Sequence, residues 1–214
     1  MLLAKGAEPK TRRVCAIVLH SLALTQACRG DMISKGAINV LYSLSADEDS
    51  ITLHYIASGI IYLAMETQNT TSKQKTLTRL INDKGVMSLC NICMRCPTVA
   101  NTTVLCAAAL QLLSQHTIDA NSPQIVQEGC VPALVTMLRE SSDTDTLRHS
   151  LSALCNLLTS EDNHLSIIQQ GGVQAVIHLT ETDNSGIKET CALALFNLAR
   201  GETTRDHPIN TAAI

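Results

Sequence analysis

Four times along the chain a glycine parts one short run of helix-forming residues from the next: Lys35-Gly36-Ala37-Ile38, Lys84-Gly85-Val86-Met87, Glu128-Gly129-Cys130-Val131 and Gly171-Gly172-Val173-Gln174. Gly36, Gly85, Gly129 and Gly172 recur at roughly 45-residue intervals, and a fixed period of that size marks an architecture of small units that bury their apolar faces only by stacking on one another. A second ladder has a similar period. The apolar segments 15–23, 56–64, 106–114, 150–158 and 191–199 each carry a leucine at one register, namely Leu22, Leu63, Leu113, Leu157 and Leu198.

Each unit reads as a short helix, a glycine turn, a medium helix, a polar break and a long apolar helix. In the unit that begins at Glu161, residues 162–169 form the short helix and Gly171-Gly172 ends it. Glycine suits that break because the residue after a helix often needs a positive φ, which strains any residue with a Cβ. Val173, Val176 and Leu179 then recur at helical spacing as a core-facing stripe. The run Glu181-Thr182-Asp183-Asn184-Ser185-Gly186 stops that helix and offers caps for the next. In 191–199 nearly every residue is apolar, as expected of a helix packed on several sides.

Composition narrows the function. Hydrophobic residues make up 45% of the chain, enough for a substantial core, but aromatics are only 2%, with a single Phe and no Trp. The core is therefore expected to consist of Leu, Ile, Val, Ala, Met and Cys. A formal charge of −3 with 16% charged residues supplies no broad basic surface, which excludes nucleic acid as a partner. The opening Met1-Leu2-Leu3-Ala4-Lys5-Gly6 lacks the apolar core of a signal peptide, and no apolar run long enough for membrane insertion occurs. Nine cysteines, an odd number, speak for a reducing compartment. Cytoplasm is the expected location, with the cytoskeleton, cilium and nucleus also open to such a chain. The sequons at Asn69 and Asn101 carry little weight without a secretory signal.

The three-helix grammar resembles the armadillo repeat family over nearly the whole chain. The residues that carry the likeness are the glycine before the second helix, the stripes Val131, Leu134, Met137 and Val173, Val176, Leu179, and the third-helix signatures Ala153-Leu154-Cys155-Asn156-Leu157-Leu158 and Ala194-Leu195-Phe196-Asn197-Leu198-Ala199. HEAT repeats usually have two helices per unit, and the separate short helix favours armadillo. The resemblance implies an all-α, right-handed superhelical solenoid with about four complete repeats. The expected repeats are 29–69, 70–118, 119–160 and 161–200, flanked by partial repeats at 1–28 and 201–214, all in one domain. The 70–118 unit is stretched, and its extra length falls in the polar segment 66–75, expected to leave the solenoid as a loop or to lengthen the first helix of that unit. Both ends look uncapped, so neighbouring repeats or subunits are expected to cover them.

The tempting chemical cluster is Cys90-Asn91-Ile92-Cys93-Met94-Arg95-Cys96, whose three thiols could bind zinc or begin an iron–sulfur site. Counted from Gly85, however, Cys90 and Cys93 fall at the offsets occupied by Leu41 and Leu44, by Leu134 and Met137, and by Val176 and Leu179. Core packing is the expectation, with no metal and no cofactor. Seven scattered histidines form no metal or catalytic motif, and no phosphate loop or nucleophile elbow is present, so no catalytic residue is expected. Asp47, Glu48, Asp49, Asp143 and Asp145 precede third helices, where an acid stabilises the helix N-terminus.

The armadillo resemblance further implies a partner site. In that family an asparagine at one third-helix register lines the concave groove and hydrogen-bonds the backbone of an extended peptide, since an amide both donates and accepts. Asn156 and Asn197 match it, whereas Ser21, Tyr62 and Leu112 stand at the same register in other units. Arrays that receive nuclear-localisation signals place tryptophan one turn earlier, where this chain has Ser152 and Leu193, so that role is disfavoured. The reading is a non-enzymatic interaction scaffold or adaptor whose third helices hold a protein or peptide segment. Tyr62, Asn156 and Asn197 are the expected wall residues, and Arg148 and Lys188 the expected contacts to acidic groups. A structural segment of a larger cytoskeletal or ciliary assembly is the alternative, ahead of a cysteine-based metal or redox module.

Overall fold

The computed structural model of the chain describes residues 8–65, 70–115 and 122–200. Among them α1 (Pro9–Leu24) is followed by α2 (Gln26–Ser34), α3 (Ala37–Leu44), α4 (Ser50–Ala64), α5 (Thr70–Asn82), α6 (Gly85–Arg95) and α7 (Ala100–Gln115). Then come α8 (Ser122–Gln127), α9 (Cys130–Glu140), α10 (Thr144–Leu157), a 3-10 turn (Glu161–Asn163), α11 (His164–Gln169), α12 (Gly172–Leu179) and α13 (Ser185–Arg200). No strand occurs among the described residues.

The helices stack in two layers. The long third helices α1, α4, α7, α10 and α13 pack side by side in that order, and behind them the second helices α3, α6, α9 and α12 do the same. The interior between the layers is aliphatic: Leu63, Leu113 and Leu157 are wholly buried and Leu198 nearly so. Leu22, the first of that ladder, is instead 42% exposed, because among the described residues no helix covers its side of α1. The stretched unit resolves as a lengthened first helix: α5 has 13 residues where α2 has 9 and α8 has 6. Residues 66–69 of the polar insertion, and the partial repeat at 201–214, lie outside the described residues.

The turns depart from the glycine ladder in one instructive place. Gly36, Gly129 and Gly171 have φ of 79°, 88° and 83°, but in the second unit the left-handed residue is Lys84, at φ 69°. Gly85 is the first residue of α6 and serves a different need, since a Cβ there would stand 2.5 Å from the backbone oxygen of Leu80. A left-handed lysine costs roughly 1 kcal/mol. Its Nζ lies 4.7 Å from the Tyr42 ring centroid, a cation–π contact of about 0.5–1 kcal/mol that offsets part of this.

The cysteines accordingly sit one position off the register expected from Gly85. Counted from the left-handed residue, Leu89 and Ile92 correspond to Leu41 and Leu44, and Cys90 and Cys93 sit one position later. All four are buried, so the expectation of core packing holds for a different reason: α6 is covered by α3, α7 and α9 and buries more than one stripe.

Acids before third helices act as caps. Asp49 accepts from the Thr52 amide at 3.0 Å and Asp143 from the Thr146 amide at 2.7 Å, each satisfying an amide that the helix leaves unpaired. Asp49 is also gripped by Arg13 of α1, at 2.9 and 2.8 Å. Chiefly that guanidinium, and with it the Thr52 hydroxyl and amide, hold the Asp49 carboxyl down at about 2 against the opposing effect of burial. A pKa lowered on folding stabilises the protein above the unfolded value, and the contribution disappears as pH falls through the folded one. Asp49→Asn keeps the cap and removes the charge; it should unfold at lower urea than the parent at pH 7, with the gap closing between about pH 4 and pH 2.

Candidate functional site: the third-helix wall

Polar residues on the third helices are tied to the neighbouring third helix. His54 of α4 lies 3.2 Å, Nδ1 to Oγ1, from Thr102 of α7. His149 of α10 approaches Gln111 of α7 at 2.5 Å through Nδ1, while its Nε2 stands 3.2 Å from the Arg148 guanidinium. Asn156 donates to the Ser114 hydroxyl of α7 at 3.0 Å. Burial lowers the pKa of His20, with a smaller push from His54, and burial then Arg148 lower that of His149, so both are neutral near pH 7.

The five residues expected at the wall are distributed unevenly. Asn156 and Arg148 stand on α10, and Asn197 and Lys188 on the adjoining α13, so four of them share two packed helices. Tyr62 lies farther along, on α4. Its half-buried ring is 5.9 Å from that of His20, which in turn is 5.3 Å from Tyr55, and the Arg29 guanidinium stands 5.8 Å from its centroid. Arg148 is exposed and bonds Asp145 one turn earlier at 3.0 Å. Lys188 is exposed in the first turn of α13.

The two asparagines are not equivalent. Asn156 spends one amide hydrogen on Ser114 and keeps the rest of its amide for another partner. One repeat later, the place of Ser114 is taken by Leu158, which offers no side-chain acceptor. Asn197 accordingly makes no side-chain hydrogen bond among the described residues and borders a hollow of about 90 Å³ with Leu158, Thr159, Glu161, His164 and Arg200. Asn156→Ala is expected to cost about 1 kcal/mol in urea unfolding, and Asn197→Ala no measurable amount.

Tyr55, His20, His54, Gln111 and His149 were missed by sequence reasoning. A signal existed for two of them: Tyr55 and His149 stand seven residues before Tyr62 and Asn156, two helical turns away and so on the same face. The others depend on which side chains meet across helices.

Cys90, Cys93 and Cys96 do not converge on a ligand. The first two are buried, and Cys96 is half-buried at the end of α6. A hydrogen bond with the Cys130 thiol and burial push Cys90 well up, and Cys106 and burial do the same for Cys93, which disfavours the thiolate that binds metal. Among the described residues no three His, Cys, Asp or Glu side chains are placed to hold a metal ion. Of Cys15, Cys106 and Cys191, which share a third-helix register and are expected to pack, Cys106 and Cys191 are buried and Cys15, on the first helix, is half-buried; burial drives Cys155 beside Cys191 up to about 12. No described helix is long and apolar enough to cross a membrane.

Three-helix units stacked into an inner wall of third helices and an outer layer of second helices define an α-helical repeat solenoid. The family model for the Armadillo/beta-catenin-like repeat matches residues 119–159 and 160–200, so these two units are armadillo repeats, and the described residues have the armadillo solenoid fold. It is 30% identical over 98 residues to Radial spoke protein 14 of Chlamydomonas reinhardtii, a match covering 46% of this chain and 24% of that one. It is 28% identical over 94 residues to U-box domain-containing protein 12 of Arabidopsis thaliana, covering 44% and 14%. These matches thus span a quarter or less of the curated relatives. Among solved structures, an engineered protein superposes with a TM-score of 0.74 at 20% identity over 100% of this chain and 85% of its own. A designed armadillo repeat protein in complex with the peptide (KR)4 superposes at 0.70 and 13% identity, over 99% and 87%.

Proposed function

We propose that this chain is a non-enzymatic scaffold that holds a segment of a protein partner along the wall made by α1, α4, α7, α10 and α13. The observation that carries the reading is the pair of asparagines on α10 and α13: Asn156 retains unused amide capacity and Asn197 has no side-chain partner among the described residues. Two amides on adjacent helices suit the repeating N–H and C=O groups of a partner's backbone. Designed proteins of this fold that recognise peptides support the reading. Lys188, and Arg148 where it can leave Asp145, supply contacts to acidic groups of the partner.

A second reading, a structural segment of a larger assembly such as a ciliary complex, is favoured by the radial spoke relative and by two exposed apolar surfaces. Val14, Val18 and Leu22 recur at helical spacing on α1, and Leu193 and Phe196 stand out from α13. Neighbouring subunits or further repeats would cover them.

Proximity labelling with the intact protein and with the Asn156→Ala/Asn197→Ala variant separates the two. Loss of one set of partners, with the helical circular dichroism signal retained, is the result expected of a binding wall. Unchanged partners, together with loss on Val18→Asp or Phe196→Asp, would instead favour the assembly segment.

A further inference from the structure

The wall is not chemically uniform. Its two central helices, α4 and α7, contain no Asp, Glu, Lys or Arg in 15 and 16 residues respectively. Charge returns on either side, with Lys10, Arg12 and Arg13 on α1 and Asp145 and Arg148 on α10. Tyr55, Tyr62, Leu105, Ala108 and Leu112 are half-buried against the core and leave part of their apolar surface outward. Between the first turns of α4 and α7 opens a hollow of about 270 Å³, lined by Ile51, His54, Tyr55, Val99, Asn101 and Thr102 among others. Ile51 is 48% exposed and Val99 37%.

Lysine or arginine side chains laid on this strip would lose water and meet no acid of α4 or α7 in return, since Asp49 at the start of α4 is already held by Arg13 and the Tyr62 ring already carries Arg29, an unfavourable exchange that selects against basic partners. Leucine or phenylalanine would gain by burial on the same surface. The central helices therefore suit a different ligand from the (KR)4 peptide held by the designed protein of similar fold.

We propose that α4 and α7 form an uncharged docking strip, whose partner presents a leucine- or phenylalanine-bearing segment free of lysine and arginine, with one large apolar side chain seated beside Ile51 and Val99. The proposal rests on the wall being the binding surface, as argued above, and specifies its ligand. The intact protein is titrated by fluorescence anisotropy with two labelled peptides of equal length. One alternates leucine and phenylalanine with serine and asparagine and has a glutamate at each end; the other alternates lysine and arginine. The apolar peptide is expected to bind at least about tenfold tighter. Leu112→Arg and, independently, Ile51→Glu at an exposed position should each weaken it by about tenfold, whereas Leu112→Met should leave it within about twofold, circular dichroism confirming the fold of each.

Equal or tighter binding of the lysine–arginine peptide overturns the proposal, as does no binding of the apolar one, or apolar binding that neither Leu112→Arg nor Ile51→Glu weakens. A lysine–arginine peptide that binds and is lost with Asn156→Ala/Asn197→Ala would sink the uncharged strip and leave the wall standing as a binding surface. Failure of the wall itself shows separately, as cellular partners indifferent to substitutions on any third helix.

Discussion

Gly85→Ala should lower the unfolding free energy by about 3 kcal/mol, read as a fall in the urea midpoint by circular dichroism. The added Cβ would lie 2.5 Å from the Leu80 oxygen and 3.2 Å from its carbonyl carbon, both backbone atoms of the preceding helix. No rotamer change relieves such a clash, so α5 and α6 must separate. The gain from restricting the unfolded chain, about 0.4–1 kcal/mol for a glycine-to-alanine change, is too small to compensate. Gly172 provides the comparison. A Cβ there would also be 2.5 Å from its nearest neighbour, but that atom is a methyl of Ile167, with the backbone oxygen at 3.0 Å. Gly172→Ala should therefore cost clearly less, and equal losses at the two sites would show that backbone proximity is not what requires Gly85.

Leu89→Ala is expected to cost about 3 kcal/mol, because a fully buried leucine between stacked helices leaves a cavity that its neighbours fill only in part. Cys90→Ala, at the adjacent position, should cost about 1 kcal/mol for the single heavy atom removed. The comparison tests the frame of the second unit, since Lys84 as the left-handed residue makes Leu89 the counterpart of Leu41, Leu134 and Val176. A larger loss at Cys90 than at Leu89 would restore the frame counted from Gly85. Both variants should remain helical, because each repeat is also supported by the units on either side.

The solenoid and its three-helix grammar were legible in the sequence because they rest on local and periodic signals. Apolar residues at helical spacing, a turn residue once per unit and polar breaks before long apolar helices each act within about ten residues, and their recurrence shows that the units stack. Asp49 and Asp143 could be placed as helix-start acids on the same grounds, and the structure finds both as caps. The frame of the second unit was not legible from the glycine alone, since a glycine can serve either a positive φ or a close approach. Gly36 meets the first need, with nothing within 4 Å of its would-be Cβ, and Gly85 meets the second.

The wall was legible by register and not by contact. Asn156 and Asn197 occupy equivalent positions, yet one bonds a serine and the other faces a leucine, because the side chain that each meets belongs to the preceding repeat. The His20, Tyr55 and Tyr62 cluster and the His149–Gln111 contact likewise join residues more than thirty positions apart. The sequence by itself determined the helices, their order and the unit that repeats, for these follow from interactions within a few turns of chain. Only the tertiary structure decided which amide is already engaged, which thiols touch and which apolar side chains of the third helices stay exposed, because neighbouring repeats diverge in sequence and each side chain's partner is supplied by an adjacent one.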